Sequence, residues 1–156
     1  MRTRSQPLFN LLRMSVLAVC FANAALALAV ADTEFLQAEE LYESGEYEKA
    51  LPLLRQAVER EPENSHYHHM LGKCYGRLAE HGSWLTALRY VNKTLSQFKK
   101  AVELNGTNEQ ALRDLEEFYL RAPAFLGGSR KKAGEIRKRL EQLQRDTKGA
   151  SSATEP

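Results

Sequence analysis

An internal repeat constrains the fold of this chain more than any other feature of its sequence. Ala50 and Thr94 begin the same pattern 44 residues apart. In each copy an apolar residue follows at the fourth position, an Ala-Val pair at the seventh and a helix-breaking residue at the twelfth. These are Leu54, Ala57-Val58 and Pro62 in the first copy, and Phe98, Ala101-Val102 and Gly106 in the second. Such repetition predicts stacked supersecondary units.

Three segments match one known repeat motif. They are Gly45-x-Tyr47-x2-Ala50 with Pro62, then His68-x2-Leu71-Gly72-x2-Tyr75, and then Leu112-x2-Leu115-x3-Tyr119 with Ala133. The chain therefore resembles a tetratricopeptide-repeat (TPR) protein, whose repeat is a helix-turn-helix unit of 34 residues. The resemblance implies an all-α, TPR-like α-solenoid of three repeats, at about 31–64, 65–108 and 109–145. A Pro-x-Phe-x-Gly-Gly turn at 123–128 also resembles small exported bacterial TPR proteins of unsettled role.

Two repeats are longer than the motif. The second has ten extra residues between Tyr75 and Thr94, and the third has five between Tyr119 and Ala133. Apolar residues at alternating steps of four and three predict one long amphipathic helix that begins near Ser83, with its stripe in the core. A loop with a short helix in the inserted part is the alternative. The stripe is Trp84, Leu88, Val91, Leu95, Phe98 and Val102. Predicted helix N-caps are Asn64 and either Thr107 or Asn108.

The first 31 residues follow the pattern of a secretory signal peptide. A basic start precedes an apolar run over 14–31, which ends in small-x-small triplets. Cleavage after Ala29 or Ala31 leaves a TPR domain at 32–146 and a tail at 147–156 that we expect to be disordered. We therefore expect a periplasmic protein. The alternative is an uncleaved inner-membrane anchor facing the periplasm, because the run is about long enough to span a bilayer.

Charge is distributed unevenly, although the formal net charge is only +2. Residues 32–64 carry ten acidic and three basic side chains, whereas residues 121–148 carry nine basic and three acidic ones. This polarity favours weak head-to-tail self-association, or contact of a basic C-terminal helix with a membrane surface. No aromatic residues are interleaved with the basic ones in the manner of nucleic-acid-binding proteins, so we expect no nucleic-acid partner.

The sequence carries no enzyme signature. It has no Gly-rich phosphate loop, nucleophile elbow or zinc-type Cys/His spacing, so we expect a non-enzymatic protein without a cofactor. His66, Met70 and Cys74 share one helix face, and such soft ligands could hold Cu(I), which makes a metal or redox carrier one alternative. Packing is the commoner use of this spacing, so no metal site is predicted. His68 is expected to fill an apolar slot where the motif prefers Trp.

The resemblance implies a concave groove lined by the first helix of each repeat. Carried onto this chain, the groove positions are Phe35, Glu39, Tyr42, His66, His69, Lys73, Arg77, Arg113, Glu117 and Arg121. We expect acidic groups of a bound segment near Lys73, Arg77 and Arg121, and an apolar residue near Phe35 or Tyr42. Lys73 stands where the carboxylate clamp of some TPR proteins has Asn, so that clamp is not expected.

An apolar loop lies inside the third repeat, at Phe125 and Leu126. Because exposed apolar clusters are unusual, we expect these residues to fold over the last two helices and close the end of the array. The alternative is a partner-binding tip. The predicted function is a protein-interaction scaffold or adaptor in the bacterial cell envelope, with an unknown partner. A membrane-tethered assembly factor for envelope complexes or cytochromes is the alternative.

The leader prediction has a direct test. Intact mass of the chain recovered from a bacterial envelope fraction should correspond to a start at Val30 or Asp32, because signal peptidase cuts after small-x-small triplets. A mass that includes residues 1–31 would support the anchored alternative.

Overall fold

The computed structural model describes residues 33–152, and the regular structure in that range is entirely helical. The helices are α1 (33–43), α2 (Tyr47–Arg60), α3 (Ser65–His81), α4 (Trp84–Leu104), α5 (Glu109–Arg121) and α6 (Arg130–Ser152), with a 3-10 turn at Ala124–Leu126. Consecutive helices from α2 to α6 pack against one another. With α1, which packs in the same core as α2, the six helices in this range form three hairpins that correspond to the three expected repeats. The all-α solenoid is confirmed, while the expected leader lies outside the described residues.

Local sequence signals set where the helices begin and end. Gly45 adopts a φ of +82° in the turn between α1 and α2, a conformation that glycine reaches without steric cost. The side chain of Asn64 accepts hydrogen bonds from the backbone of His66 and Tyr67. Asn108, rather than Thr107, caps α5 by accepting from the backbone of Ala111. These caps satisfy amides that lack a partner inside the helix.

Small residues allow the helices to approach closely. Ala50, Ala57, Ala101 and Ala133 are all buried, as the repeat predicts. Gly72 shows the closest approach, because a Cβ built at this position would lie 2.6 Å from Cδ1 of Phe98. The Phe98 ring of α4 therefore lies directly against the backbone of α3.

The buried side chains form two clusters that meet at the second hairpin. One joins α1, α2 and α3 and includes Phe35, Leu54 and Leu71. The other joins the C-terminal half of α4 with α5 and α6 and includes Phe98 and Leu112. Each hairpin thus buries its apolar side on its neighbour, as solenoid repeats do.

The apolar stripe of α4 is only half buried, which corrects the prediction that all of it lies in the core. Phe98 and Val102 are buried, but Trp84 and Leu88 are exposed. The ten extra residues lengthen both legs of the α3–α4 hairpin, whereas α5 already ends at Arg121. The N-terminal turns of α4 therefore extend beyond the helix that covers the rest of the stripe.

The loop at 122–129 does not close the array through Phe125. That side chain is 82% exposed, so the expected packing is wrong for this residue, while Leu126 is half-buried. The loop is held by backbone hydrogen bonds instead, from Gly128 to the Pro123 carbonyl (3.1 Å) and from Ser129 to the Tyr119 carbonyl (2.8 Å). These bonds fix the loop without using its largest apolar side chain.

The last helix is longer than expected. It continues to Ser152, so residues 147–152 are helical and the predicted disorder is wrong for them. The Thr147 hydroxyl donates to the Leu143 carbonyl at 2.8 Å, a bond that is compatible with helix continuation. The remainder of the expected tail lies outside the described residues. Within residues 33–152, no helix has the length and apolar character needed to cross a bilayer.

His68 occupies its buried slot by polar contacts. Its Nε2 donates to the Pro62 carbonyl at 2.9 Å, and its Nδ1 lies 2.6 Å from the side-chain oxygen of Gln97. His68 is therefore buried in the slot where the motif prefers Trp, as expected, but it is held there by hydrogen bonds. The imidazole joins the turn before α3 to the middle of α4.

Two glycines of α3 provide a matched pair for testing the close approach of α4. We expect Gly72→Ala to lower the free energy of unfolding by about 1–3 kcal/mol, because the methyl group would overlap the Phe98 ring. Gly76→Ala should be neutral or stabilising by up to about 1 kcal/mol, since its Cβ would meet Thr94 at an ordinary 3.6 Å and alanine favours the helix. Urea unfolding measures both values. Equal effects of the two substitutions would contradict the packing described.

Cys74 should be chemically inert in the folded chain. Its side chain is fully buried and its thiol donates to the Tyr47 carbonyl at 3.4 Å. Burial raises the pKa of this thiol to about 12. We expect slow alkylation of the Cys74 peptide at pH 8, mapped by mass spectrometry, and rapid alkylation in denaturant, because the thiolate is the nucleophile. Rapid modification of the native chain would show that this core opens readily.

Candidate functional site

A cavity of about 370 Å³ lies in the concave side of the array, between α3 and α5 with α4 behind them. We call it the groove cavity. Its lining comprises Tyr42, Lys73, Gly76, Arg77, Ala79, Glu80, Val91, Thr94, Phe98, Asp114, Glu117, Phe118, Arg121 and Ala122. Its volume lies in the range of small-ligand and side-chain pockets.

Half of the predicted groove residues meet in this cavity. They are Tyr42, Lys73, Arg77, Glu117 and Arg121. They come from the first helices of all three repeats, because the turn positions set by the repeat point these side chains to the same side. The structure therefore brings together the basic end of the predicted groove and one of its aromatic residues.

Three cations stand around the groove cavity, and two of them contact the same phenol. Lys73 Nζ lies 4.8 Å from the ring centroid of Tyr42, a cation–π distance. The Arg77 guanidinium donates to the Tyr42 hydroxyl and, at 3.0 Å, to Glu80. Burial raises the pKa of Tyr42, and the hydrogen bond from Arg77 offsets part of that rise. Hydrogen bonds to Tyr42 and then to Glu80 raise the pKa of Arg77, which stays cationic.

Carboxylates from α5 complete the rim. Glu117 pairs with Arg121 at 2.7 Å across one helical turn. Asp114 accepts a 2.7 Å hydrogen bond from Nε2 of His69, which is buried beneath the groove. The other ring nitrogen of His69 has no hydrogen-bond partner among the described residues. The His69–Asp114 pair therefore joins the second repeat to the third, and His69 acts as a support rather than as a lining residue.

The inner wall of the groove cavity is apolar. Val91, Phe98 and Phe118 contribute it, and Thr94 has its hydroxyl occupied by the Tyr90 carbonyl at 3.1 Å. Val91 and Phe98 were missed because the groove was assigned to first helices only, whereas Phe118 lies on a first helix but was not among the predicted positions. The sequence feature that could have indicated this wall was the apolar stripe of α4, because the stripe is longer than the part of α4 that α5 can cover.

The structure places the other predicted groove residues elsewhere. Phe35 is buried in the core, with its ring centroid 4.3 Å from that of Tyr67, which corrects its assignment to the groove. It is buried because Phe35, Ala38 and Tyr42 form the apolar stripe by which α1 packs. Glu39 and His66 pair with each other at 3.1 Å outside the cavity lining. Arg113 pairs with Glu109 on α5 and does not line the cavity.

The His66, Met70 and Cys74 stripe is divided between solvent and core. His66 is exposed, whereas Met70 and Cys74 are buried. A thiol whose pKa is about 12 supplies little thiolate for a metal ion. Among residues 33–152, no group of three or more His, Cys, Asp or Glu side chains is arranged to hold a metal. The geometry gives the metal-carrier alternative no support.

Known proteins were compared with this chain by sequence and by structure. No protein-family model matches it. Protein IFIT1 homolog B of Homo sapiens is 33% identical over 107 residues, which cover 62% of this chain and 22% of that protein. The chain thus spans about a fifth of the curated relative that it matches.

Two of the solved structures that share the fold illustrate the likeness. The human IFIT1 dimer with PPP-AAAA superposes with a TM-score of 0.62 and 26% identity, over 70% of this chain and 25% of that one. The MamA RS-1 ArsTM double mutant gives a TM-score of 0.62 and 20% identity, over 75% of this chain and 57% of that one. MamA and IFIT1 are repeat proteins of the class that the sequence resembles. With its three hairpins, its buried small residues and these likenesses, the chain is a tetratricopeptide-repeat protein.

Proposed function

We propose that this protein is a non-enzymatic scaffold of the bacterial cell envelope, and that its groove cavity binds a segment of a partner protein. The likeness to TPR proteins supports the scaffold part of this proposal, because the structural neighbours are TPR scaffolds, which are generally not enzymes. The cell-envelope location depends on the leader-like first 31 residues, and a membrane-tethered form is the variant of this proposal in which they are retained.

The observation that carries the proposal is the composition of the groove cavity. An apolar inner wall of Val91, Phe98 and Phe118 lies behind a rim that holds Lys73, Arg77 and Arg121. Such a cavity fits an apolar side chain of a bound segment, with a neighbouring carboxylate placed at the rim. A wall that buries apolar area supplies affinity, while charged groups at the rim supply orientation and specificity.

The cations of the rim can exchange partners at low cost. The Arg121–Glu117 and Arg77–Glu80 pairs each lie within one helix and are exposed to solvent. Exposed pairs of this kind contribute about 0–1 kcal/mol, so a carboxylate of a bound segment can replace Glu117 or Glu80. Among residues 33–152, the Lys73 ammonium contacts the Tyr42 ring and forms no ion pair, so its hydrogen-bond donors can bind a ligand.

A phosphate-rich ligand such as the PPP-AAAA bound by human IFIT1 fits this cavity less well. The carboxylates of Glu80, Asp114 and Glu117 line it alongside the three cations. Nucleic-acid affinity depends on net positive charge that neutralises several phosphates. A mixed rim instead suits a protein segment of mixed polarity.

Capture from an envelope extract tests the groove. The double substitution Lys73→Glu, Arg77→Glu should lower the recovery of a partner at least about tenfold, because it places two negative charges opposite the expected carboxylate. The matched control is Lys99→Glu, Arg113→Glu, which makes the same charge change outside the cavity lining and should leave recovery unchanged. Equal recovery by wild type and the groove variant would place the binding site elsewhere.

A further inference from the structure

Exposed apolar side chains concentrate in two parts of the molecule. Six large apolar side chains are exposed among residues 33–152, and three of them (Trp84, Leu85 and Leu88) lie in the first turns of α4. A fourth, Phe125, is the most exposed at 82%. We call these four residues the apolar tip. Large exposed apolar groups near one another usually mark an interaction surface.

Packing shows that both parts of the apolar tip belong to one side of the array. Trp84, Leu88 and Leu95 lie on one face of α4, because they are spaced by four and seven residues. A Cβ built at Gly127 would lie 2.6 Å from Cδ2 of Leu95, so the loop that carries Phe125 lies against this same face. Trp84 is about 16 Å further along the helix axis at 1.5 Å per residue. The tip therefore consists of two projections, one from the hairpin and one from the loop.

The two chain segments that carry the apolar tip are basic and contain no carboxylate of their own. Residues 81–102 and 118–134 contain no Asp or Glu. They contain Arg89, Lys93, Lys99 and Lys100, and Arg121, Arg130, Lys131 and Lys132. Within residues 33–152, the exposed side chains of Arg89, Arg130 and Lys131 form no ion pair. Their charge is therefore available to an anionic surface.

We propose that the apolar tip docks on an anionic lipid bilayer, with Trp84 and Phe125 among the headgroups and Arg89, Arg130 and Lys131 at the phosphates. Tryptophan favours the interface of a membrane with water, and apolar groups combined with basic ones bind anionic lipid reversibly. Separate projections with 70% and 82% exposure can each enter a fluid headgroup layer. A protein partner would instead need two matching clefts about 16 Å apart or more along α4.

Docking on a membrane would also affect the groove cavity. Val91 lies on the same α4 face as Leu88 and also lines the groove cavity. Docking through the apolar tip would hold the mouth of the groove cavity close to the lipid surface. A partner segment bound there would be selected from proteins at or near that membrane.

Trp84 makes the test specific, because it is the single tryptophan of the chain. The full chain is mixed with phosphatidylcholine vesicles, with and without about one third phosphatidylglycerol, and Trp84 emission is recorded. We expect a blue shift and quenching by brominated acyl chains with the anionic vesicles, and loss of both in high salt. Membrane insertion of residues 1–31 alone would not produce this signal. Unchanged Trp84 emission with anionic vesicles would overturn the proposal.

Substitutions distinguish the tip from general electrostatic attraction. Arg130→Glu with Lys131→Glu should weaken the emission response to vesicles about tenfold or more, and Phe125→Ala should weaken it severalfold. The controls are Lys49→Glu with Arg55→Glu, and Leu36→Ala at a residue with 62% exposure on α1. They should change the response less than about twofold. All the altered side chains are exposed, and circular dichroism would verify the fold of each variant.

Two other results would reject the membrane as the occupant. A blue shift that grows with protein concentration in the absence of vesicles would assign the tip to a second copy of the chain. An equal loss in the control and tip variants would assign the response to net charge rather than to this surface.

Discussion

The distance between α3 and α4 governs the rest of this structure, and Gly72 sets it. The Phe98 ring lies where any other side chain at position 72 would be, so the two helices of the second hairpin approach to backbone contact. The same ring contacts His69 and belongs to the core shared with α5 and α6. It also lines the groove cavity. Core packing, stacking of the third repeat and the shape of the groove therefore depend on one aromatic side chain.

Local periodicity explains why the repeats could be predicted. Small residues mark the places where one helix must approach another closely, and their spacing can be recognised within a segment of about 34 residues. Here they are Ala50, Ala57, Ala101 and Ala133. Caps such as Asn64 act within three residues of the helix start. These features place the hairpins correctly without any knowledge of what lies across the groove.

Whether a side chain is buried by a neighbouring element could not be predicted in the same way. Whether Trp84 is buried depends on where α5 ends, and whether Phe125 is buried depends on backbone hydrogen bonds of the loop. The first is a relation between distant parts of the chain, and the second depends on hydrogen bonds within the loop that its composition does not reveal. Phe35 shows the reverse case, because a position assigned to the groove is needed as the apolar anchor of α1. The basic lining of the groove cavity was predicted from repeat phase, whereas Val91 and Phe98 of its apolar wall were missed because they belong to a second helix.

The lengthened hairpin separates two properties that a repeat array normally couples. Curvature comes from the small-residue contacts around Gly72 and Ala101, which the inserted residues leave in phase. The length of the hairpin comes from the distal turns of α3 and α4, which extend past the neighbouring repeat and need not pack against it. An array of this design can change how far it extends sideways by whole helical turns while its superhelical path stays constant. The end of the hairpin can therefore present additional surface while the stacking of the repeats stays unchanged.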